Sequence, residues 1–186
     1  MNQTKKITFT GACIALGILL PFLFHSIPNA GSIFLPMHIP VLLCGLICGP
    51  ICGAICGAVT PVISSLCTNM PPMAILPGML FELMIYGLIS GFLINHFHVK
   101  HFALCIYASL IPAMICGRII SGFINGLIIQ LGTYTFHIWL TNSFVTALPG
   151  IVIQLIILPI LCTALYKAGF FVLSDNSRDI AFSTSK

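Results

Sequence analysis

Residues 37–66 read MHIPVLLCGLICGPICGAICGAVTPVISSL, a run that contains no Lys, Arg, Asp or Glu. A run this long and this apolar is typical of a chain that is solvated by lipid. Gly49-Pro50 divides it, because Gly-Pro marks a turn and Pro can open the helix that follows. The stretch therefore predicts two short membrane helices, Met37–Cys48 and Ile51–Leu66, joined by almost no loop.

The whole 186-residue chain shares this character, with 59% hydrophobic and 5% charged residues. An ordinary soluble domain has about 25% charged residues, so the composition excludes a water-soluble globular protein. The predicted spans are Ile7–Phe24, Met37–Cys48, Ile51–Leu66, Pro77–Ile94, Phe102–Leu131 and Phe144–Tyr166. The fifth run is longer than a bilayer core requires, so it must tilt, kink at Pro112, or break near Gly122 or Gly126. The sequence predicts an all-α membrane protein with six transmembrane helices, a single domain at 1–170 and a polar cytoplasmic tail at 171–186.

The basic residues give the predicted orientation. Six spans place both termini on one side, and six of the seven Lys and Arg residues fall on that side. The positive-inside rule therefore makes both termini cytoplasmic. The three outward loops, which carry no Lys or Arg, are His25–Leu35, Cys67–Leu76 and Gly132–Ser143. The net charge of +4 thus reports orientation in the bilayer and not affinity for nucleic acid.

Small residues recur within the quoted stretch, and cysteines lie beside them. The two sets are Gly45, Gly49, Gly53 and Gly57, and Cys44, Cys48, Cys52 and Cys56. Glycine every four residues predicts a seam where helices pack closely. A metal site at these cysteines is disfavoured because no acidic residue or His joins them. A second candidate metal site, formed by His96, His98 and His101, is disfavoured because the three histidines lie in a short exposed loop. The nine cysteines mostly lie within spans, so we predict no structural disulfide, no metal and no cofactor.

Glu82 and Arg118 are the ionisable residues that the predicted spans place in the outer half of the membrane. A charge at that depth costs several kcal/mol unless it is paired or faces a cavity, so each is a candidate functional residue. Helical spacing extends each into a polar stripe: Gly78, Glu82, Tyr86 and Ser90 on the fourth span, and Arg118, Ser121, Gly122 and Asn125 on the fifth. Facing stripes would line a pocket. The alternative is a structural ion pair between Glu82 and Arg118.

Further candidates lie on or near the outward loops. Tyr86, Tyr134 and Trp139 are predicted to stack on a heterocycle, or else to form aromatic belts at the membrane interface. His38 and Asn69 are candidate polar contacts, with local capping as the alternative for each. A guanidinium grips a carboxylate bidentately, so Arg118 favours an anionic ligand.

Several functions lack the residues that they would need. There is no phosphate-binding loop of the Gly-rich Lys-Ser/Thr type, so the chain cannot by itself hydrolyse ATP. Glu82 is the one acidic residue within a predicted span, which leaves little for a proton or sodium relay. No nucleophile or zinc motif is present, so an enzyme is disfavoured.

Several short motifs, taken together, resemble one transporter family. They are a basic N-terminus running into a small-residue first helix, Phe34-Leu-Pro-Met-His-Ile-Pro-Val-Leu-Leu, the Cys48-Gly-Pro turn with Gly53 and Gly57, and Asn69-Met-Pro-Pro. With six spans in under 200 residues, the chain from Ile7 to Tyr166 resembles a substrate-binding S component of an energy-coupling-factor (ECF) vitamin transporter.

The resemblance implies capture of a vitamin or vitamin precursor from outside a bacterial cell, in a pocket beneath the outward loops. It also implies three partners in the plasma membrane complex: a transmembrane coupling subunit and two ATPase subunits. Family members commonly contact the coupling subunit through an Ala-x-x-x-Ala step on the first helix. The matching step here is Gly11-x-x-x-Ala15, which departs in its first position but keeps both residues small.

Two other functions stay open at this point. A self-sufficient channel or secondary transporter would conduct or accumulate solute with no ATPase present. An intramembrane enzyme would need a catalytic base and would turn over a lipid or a peptide. For the S component, the anionic ligands that Arg118 favours are nicotinate and pantothenate.

Overall fold

The computed structural model describes residues 2–23, 30–96, 102–126 and 135–168. Regular structure within these ranges is entirely helical. The helices are α1 Gln3–Leu23, α2 Ala30–Phe34, α3 His38–Cys48, α4 Pro50–Thr68, α5 Leu76–His96, α6 Phe102–Ile124, α7 Phe136–Leu140 and α8 Leu148–Lys167. A π-helical segment, Thr141–Thr146, joins α7 to α8.

Six helical stretches are long and apolar enough to cross a membrane, which confirms the predicted fold class. Five are single helices, and the other, Gly31–Cys48, combines α2, three connecting residues and α3. The tail at 171–186 lies outside the described residues, as do His98, His101 and Tyr134. The cytoplasmic position of both termini stays a prediction.

The third outward loop was predicted wrongly in part. Residues 136–146 are helical, and the last span begins at Leu148 instead of Phe144. Thr135 starts this helical segment because its side chain accepts a hydrogen bond from the Ile138 N–H. In the fifth run the α-helix ends at Ile124. The rest of that run, from residue 127, lies outside the described residues, so the choice among tilt, kink and break stays open.

The predicted glycine seam is confirmed. A Cβ atom added to Gly45 or Gly53 would lie closer than 3 Å to the Gly87 carbonyl oxygen, and one added to Gly57 would meet the Leu83 backbone equally closely. The backbones of α3, α4 and α5 therefore touch directly, as small residues at helix interfaces permit. All of α3 except Ile39 is buried, so α3 is the central helix.

Helix α1 packs on α3 and α4 through one face only. A Cβ on Gly17 would collide with the Thr60 side chain, which places that face in close contact with α4. Gly11 and Ala15 lie on the opposite, exposed face, and a Cβ on Gly11 would meet nothing within 4 Å. In the described part of the chain, the predicted partner-binding step is therefore not used for internal packing.

Candidate functional site

Glu82 lies on α5 at the centre of the candidate site. Tyr86, one helical turn later, donates a hydrogen bond from its hydroxyl to Glu82 Oε1 at 2.9 Å. The Tyr86 ring is fully buried, and it fits against α6 because residue 117 is Gly, where a Cβ would lie closer than 3 Å to the ring. The predicted stripe on α5 thus faces α6, as the spacing indicated.

His38, the first residue of α3, joins the same group. Its Nε2 lies 3.6 Å from Glu82 Oε1, which makes an ion pair when the imidazole is protonated. Its ring meets the Tyr86 ring edge-on, with centroids 5.2 Å apart. The side chain is 2% exposed, and neither ring nitrogen has a hydrogen-bond partner among the described residues. The three side chains therefore form a polar cluster, which we call the Glu82 cluster, with His38 and Tyr86 buried and Glu82 16% exposed.

Arg118, on α6, is 4% exposed. Its Nη1 donates to the backbone carbonyl of Ser143, in the π-helical segment. Within the described ranges, Nε and Nη2 are buried without a hydrogen-bond partner.

The sequence left open an ion pair between Glu82 and Arg118. In the described residues no such pair is formed, because no carboxylate oxygen of Glu82 lies within 4.0 Å of an Arg118 nitrogen. Glu82 instead pairs with His38, and Arg118 is held by a main-chain carbonyl. A buried charged donor without a partner is costly, by more than the roughly 1–3 kcal/mol of a neutral group. Such groups commonly mark a site that a ligand or water completes.

Arg118 also lines a cleft of about 150 Å³ between α6 and α8. The other lining residues are apolar: Ile111, Met114, Ile115, Phe144, Ile151 and Leu155. The surface of the cleft is therefore almost wholly apolar, and the Nε and Nη2 atoms of Arg118 are buried behind it. Such a wall suits the apolar body of a small ligand.

Trp139 lies against the C-terminal end of α6. Its indole Nε1 donates to the Arg118 backbone carbonyl at 3.0 Å, and a Cβ on Gly122 would lie closer than 3 Å to the indole. The ring also contacts Phe136 and Phe144, with centroids 5.4 Å and 5.6 Å away. The indole is thus held by protein contacts, and its stacking on a ligand stays a prediction.

The two asparagines among the predicted site residues lie in different places. Asn125 donates to the Ser121 hydroxyl at 3.3 Å and rests on Gly78, where a Cβ would overlap its amide. It therefore continues the polar contact between α5 and α6. Asn69 is exposed at the C-cap of α4, with φ 55°, and its N–H bonds the Ser65 carbonyl. The structure gives Asn69 the capping role that the sequence left as its alternative.

Sequence reasoning missed three contributors to the site. The role of the Ser143 carbonyl could not be predicted from the sequence, because every residue carries a backbone carbonyl. Gly117 could have been suspected, since a small residue beside an intramembrane Arg can mark a close helix contact. Gln154, a buried amide on α8, lies in an apolar run and could have been noted on the same grounds as Arg118.

The described residues contain no group of three or more His, Cys, Asp or Glu side chains that could hold a metal ion. The recurrent cysteines pack within the helical core instead, with Cys44 Sγ 3.6 Å from the Thr10 hydroxyl. Their local role is that of small, polarisable side chains.

Comparison with known proteins gives one match. A family model described as "ECF transporter, substrate-specific component" matches residues 5–162. No curated protein and no solved structure matches the chain.

Proposed function

Because the chain belongs to the substrate-specific components of ECF transporters, we propose that it captures a small anionic vitamin or vitamin precursor, similar to nicotinate or pantothenate. As a member of that family it is a multi-pass membrane protein and the substrate-binding subunit of an ECF transporter. The proposal concerns the identity of the cargo, the residues that hold it and the partners that drive its uptake.

The observation that carries the proposal is the unused edge of the Arg118 guanidinium. Nε and Nη2 point along the same edge of the planar group, and both lack a hydrogen-bond partner among the described residues. A carboxylate accepts two parallel hydrogen bonds from such an edge. Nη1 stays on the Ser143 carbonyl meanwhile, so the cargo would bind without displacing that contact. An anion at this edge would also neutralise a charge that lies in largely apolar surroundings.

The size and lining of the cleft support a small cargo. An engineered apolar cavity of about 150 Å³ is known to accept a benzene molecule, and the cleft beside Arg118 has about the same volume. Met114, Ile151 and Leu155 would contact the apolar body of the cargo. A single six-membered ring, or one end of a longer chain, fits this space.

The Glu82 cluster would recognise the polar part of the cargo. His38 and Glu82 together offer a donor and an acceptor in a region that excludes water, where each hydrogen bond has a large effect. Asn125 and Tyr86 extend this polar surface between α5 and α6. Trp139 would belong to the boundary of the site, through the contacts described above, whereas Asn69, among the described residues, hydrogen-bonds only within its own helix, at the C-cap of α4.

Uptake would depend on partner subunits. The exposed face of α1, with Gly11 and Ala15, lets another helix approach closely and is proposed to bind the transmembrane coupling subunit. Two ATPase subunits would supply the energy, since the chain has no phosphate-binding loop. This arrangement places both termini in the cytoplasm of a bacterial cell, with the cargo site toward the outside.

The proposal is tested by purifying the protein in mild detergent and identifying copurified small molecules by mass spectrometry, followed by titration with nicotinate and with pantothenate. We expect a carboxylate to be recovered and one of the two anions to bind. Recovery of a cationic or uncharged cargo would contradict the proposal. In liposomes the chain alone should not accumulate the cargo, and accumulation without ATPase subunits would instead support a self-sufficient transporter.

A further inference from the structure

Gln154 is a fully buried polar residue to which neither the sequence nor the family match assigns a role. It lies on α8 and is 0% exposed. Its Nε2 lies 3.5 Å from the backbone carbonyl oxygen of Leu35, and its Oε1 has no hydrogen-bond partner among the described residues. The orientation of the amide follows from chemistry, because a carbonyl oxygen can only accept and the NH₂ end must therefore face it.

Leu35 lies where the helix of the second membrane span is interrupted. It separates α2 from α3 and has φ 50°, a left-handed conformation that is unusual for a side chain with a Cβ. Its carbonyl also accepts a hydrogen bond from the His38 N–H at 3.1 Å. Since lipid offers no hydrogen bonds, a break at membrane depth needs protein partners for its backbone groups.

Helix α8 packs closely against the residues around this break. Gly150, one helical turn before Gln154, lies against α2, and a Cβ there would be closer than 3 Å to the Ile33 carbonyl oxygen and to the Phe34 carbonyl carbon. Gly150 and Gln154 thus provide a close contact and a hydrogen-bond donor on one face of α8. Both act on the residues that immediately precede His38.

We propose that Gln154 is a positioning residue that holds the break at Leu35 so that His38 is set against Glu82. The carbonyl that Gln154 contacts is the same one that accepts a hydrogen bond from the His38 N–H, three residues later. A loss of the Gln154 contact frees the break to shift, and His38 then leaves the Glu82 cluster. The inference rests on the proposed function only in treating that cluster as part of the cargo site.

The first test measures the environment of His38 directly and needs no cargo. The full chain in detergent is treated briefly with diethylpyrocarbonate, and carbethoxylation of His38 is quantified by peptide mass spectrometry relative to the exposed His137. We expect the ratio to be low in the natural protein and to rise at least fivefold in Gln154→Met, which keeps the length but loses the donor. Gln154→Asn, which keeps the amide but shortens its reach, should raise it as well.

Ser109→Ala serves as the matched control, because Ser109 is a buried polar residue on α6 that bonds within its own helix. Its ratio should stay at the natural value. An unchanged ratio in both Gln154 variants would overturn the proposal. Unfolding of both variants in detergent would also overturn it, because it would assign Gln154 to global stability.

A second test asks whether Gln154 acts through His38. Affinity for nicotinate and for pantothenate is measured in the natural protein, in Gln154→Met, in His38→Ala and in the double variant. We expect Gln154→Met to weaken binding at least fivefold in the natural protein but less than twofold when His38 is already absent. Equal losses in both backgrounds would overturn the proposal. If neither anion binds the natural protein, the proposed cargo is wrong, while the labelling ratio still decides the role of Gln154.

Discussion

The indole of Trp139 donates a hydrogen bond from Nε1 to the backbone carbonyl of Arg118 at 3.0 Å, while the Arg118 side chain donates to the carbonyl of Ser143. The segment from α7 through the π-helical turns is therefore attached to α6 twice at the same residue. π-helical turns are frequent at functional sites. The attachment holds the Arg118 side chain in place, with Nε and Nη2 buried and without a hydrogen-bond partner among the described residues.

Replacement of Arg118 should weaken anion capture without unfolding the protein. We expect Arg118→Ala to weaken the binding of the recovered carboxylate at least tenfold, which corresponds to about 1.4 kcal/mol. Arg118→Lys keeps the charge but loses the two-pronged edge, so its affinity should lie between the two. Equilibrium binding in detergent measures both. Ile119→Ala, the next residue on α6 but exposed, is the control, and unchanged binding in Arg118→Ala would remove Arg118 from the site.

Trp139 should support cargo binding through Arg118. Trp139→Phe keeps an aromatic ring beside Phe136 and Phe144 but loses the N–H, and we expect affinity to fall about fivefold, equivalent to roughly 1 kcal/mol. Trp139 is the only tryptophan of the chain, so its fluorescence reports cargo binding directly in the natural protein. Leu140→Ala, at an exposed position on the same helix, is the control and should bind normally. A Trp139 emission spectrum that does not change when saturating cargo is added would argue against this role.

Gly117 and Gly11 offer a matched pair for stability. Gly117→Ala forces a Cβ into the Tyr86 ring, and overpacking of this kind costs about 1–3 kcal/mol. The midpoint of thermal unfolding in detergent should fall. Gly11→Ala meets open space and improves helix propensity, so its midpoint should stay or rise. A drop for Gly11→Ala as large as that for Gly117→Ala would mean that α1 packs differently.

The exposed face of α1, which carries Gly11 and Ala15, should matter for assembly with the coupling subunit and not for cargo capture. Gly11→Leu places a bulky side chain where the proposed coupling subunit approaches, so we expect normal cargo binding but loss of copurification with that subunit and of ATP-driven uptake in proteoliposomes. Ile156→Trp, at an exposed position on α8, is the control and should assemble normally. Full assembly of Gly11→Leu would place the partner on another face.

The six helices were predictable because a lipid environment demands long apolar runs, and the glycine seam because close helix contact requires small residues at helical spacing. Glu82 and Arg118 were predictable as charges at membrane depth. The partnership of His38 with Glu82 was not, because it depends on the break at Leu35, which is a tertiary feature. The helical turns at 136–146 were missed because a polar, aromatic stretch without strong periodicity reads as a loop.

The glycine seam has a mechanical consequence. The main chains of α3, α4 and α5 are in direct contact, with no side chains between them. These contacts leave little room for the three helices to deform relative to one another. The Glu82 cluster includes residues of α3 and α5, and α1 packs on α3 and α4. We therefore expect α3, α4 and α5 to move together, without bending, when cargo binds.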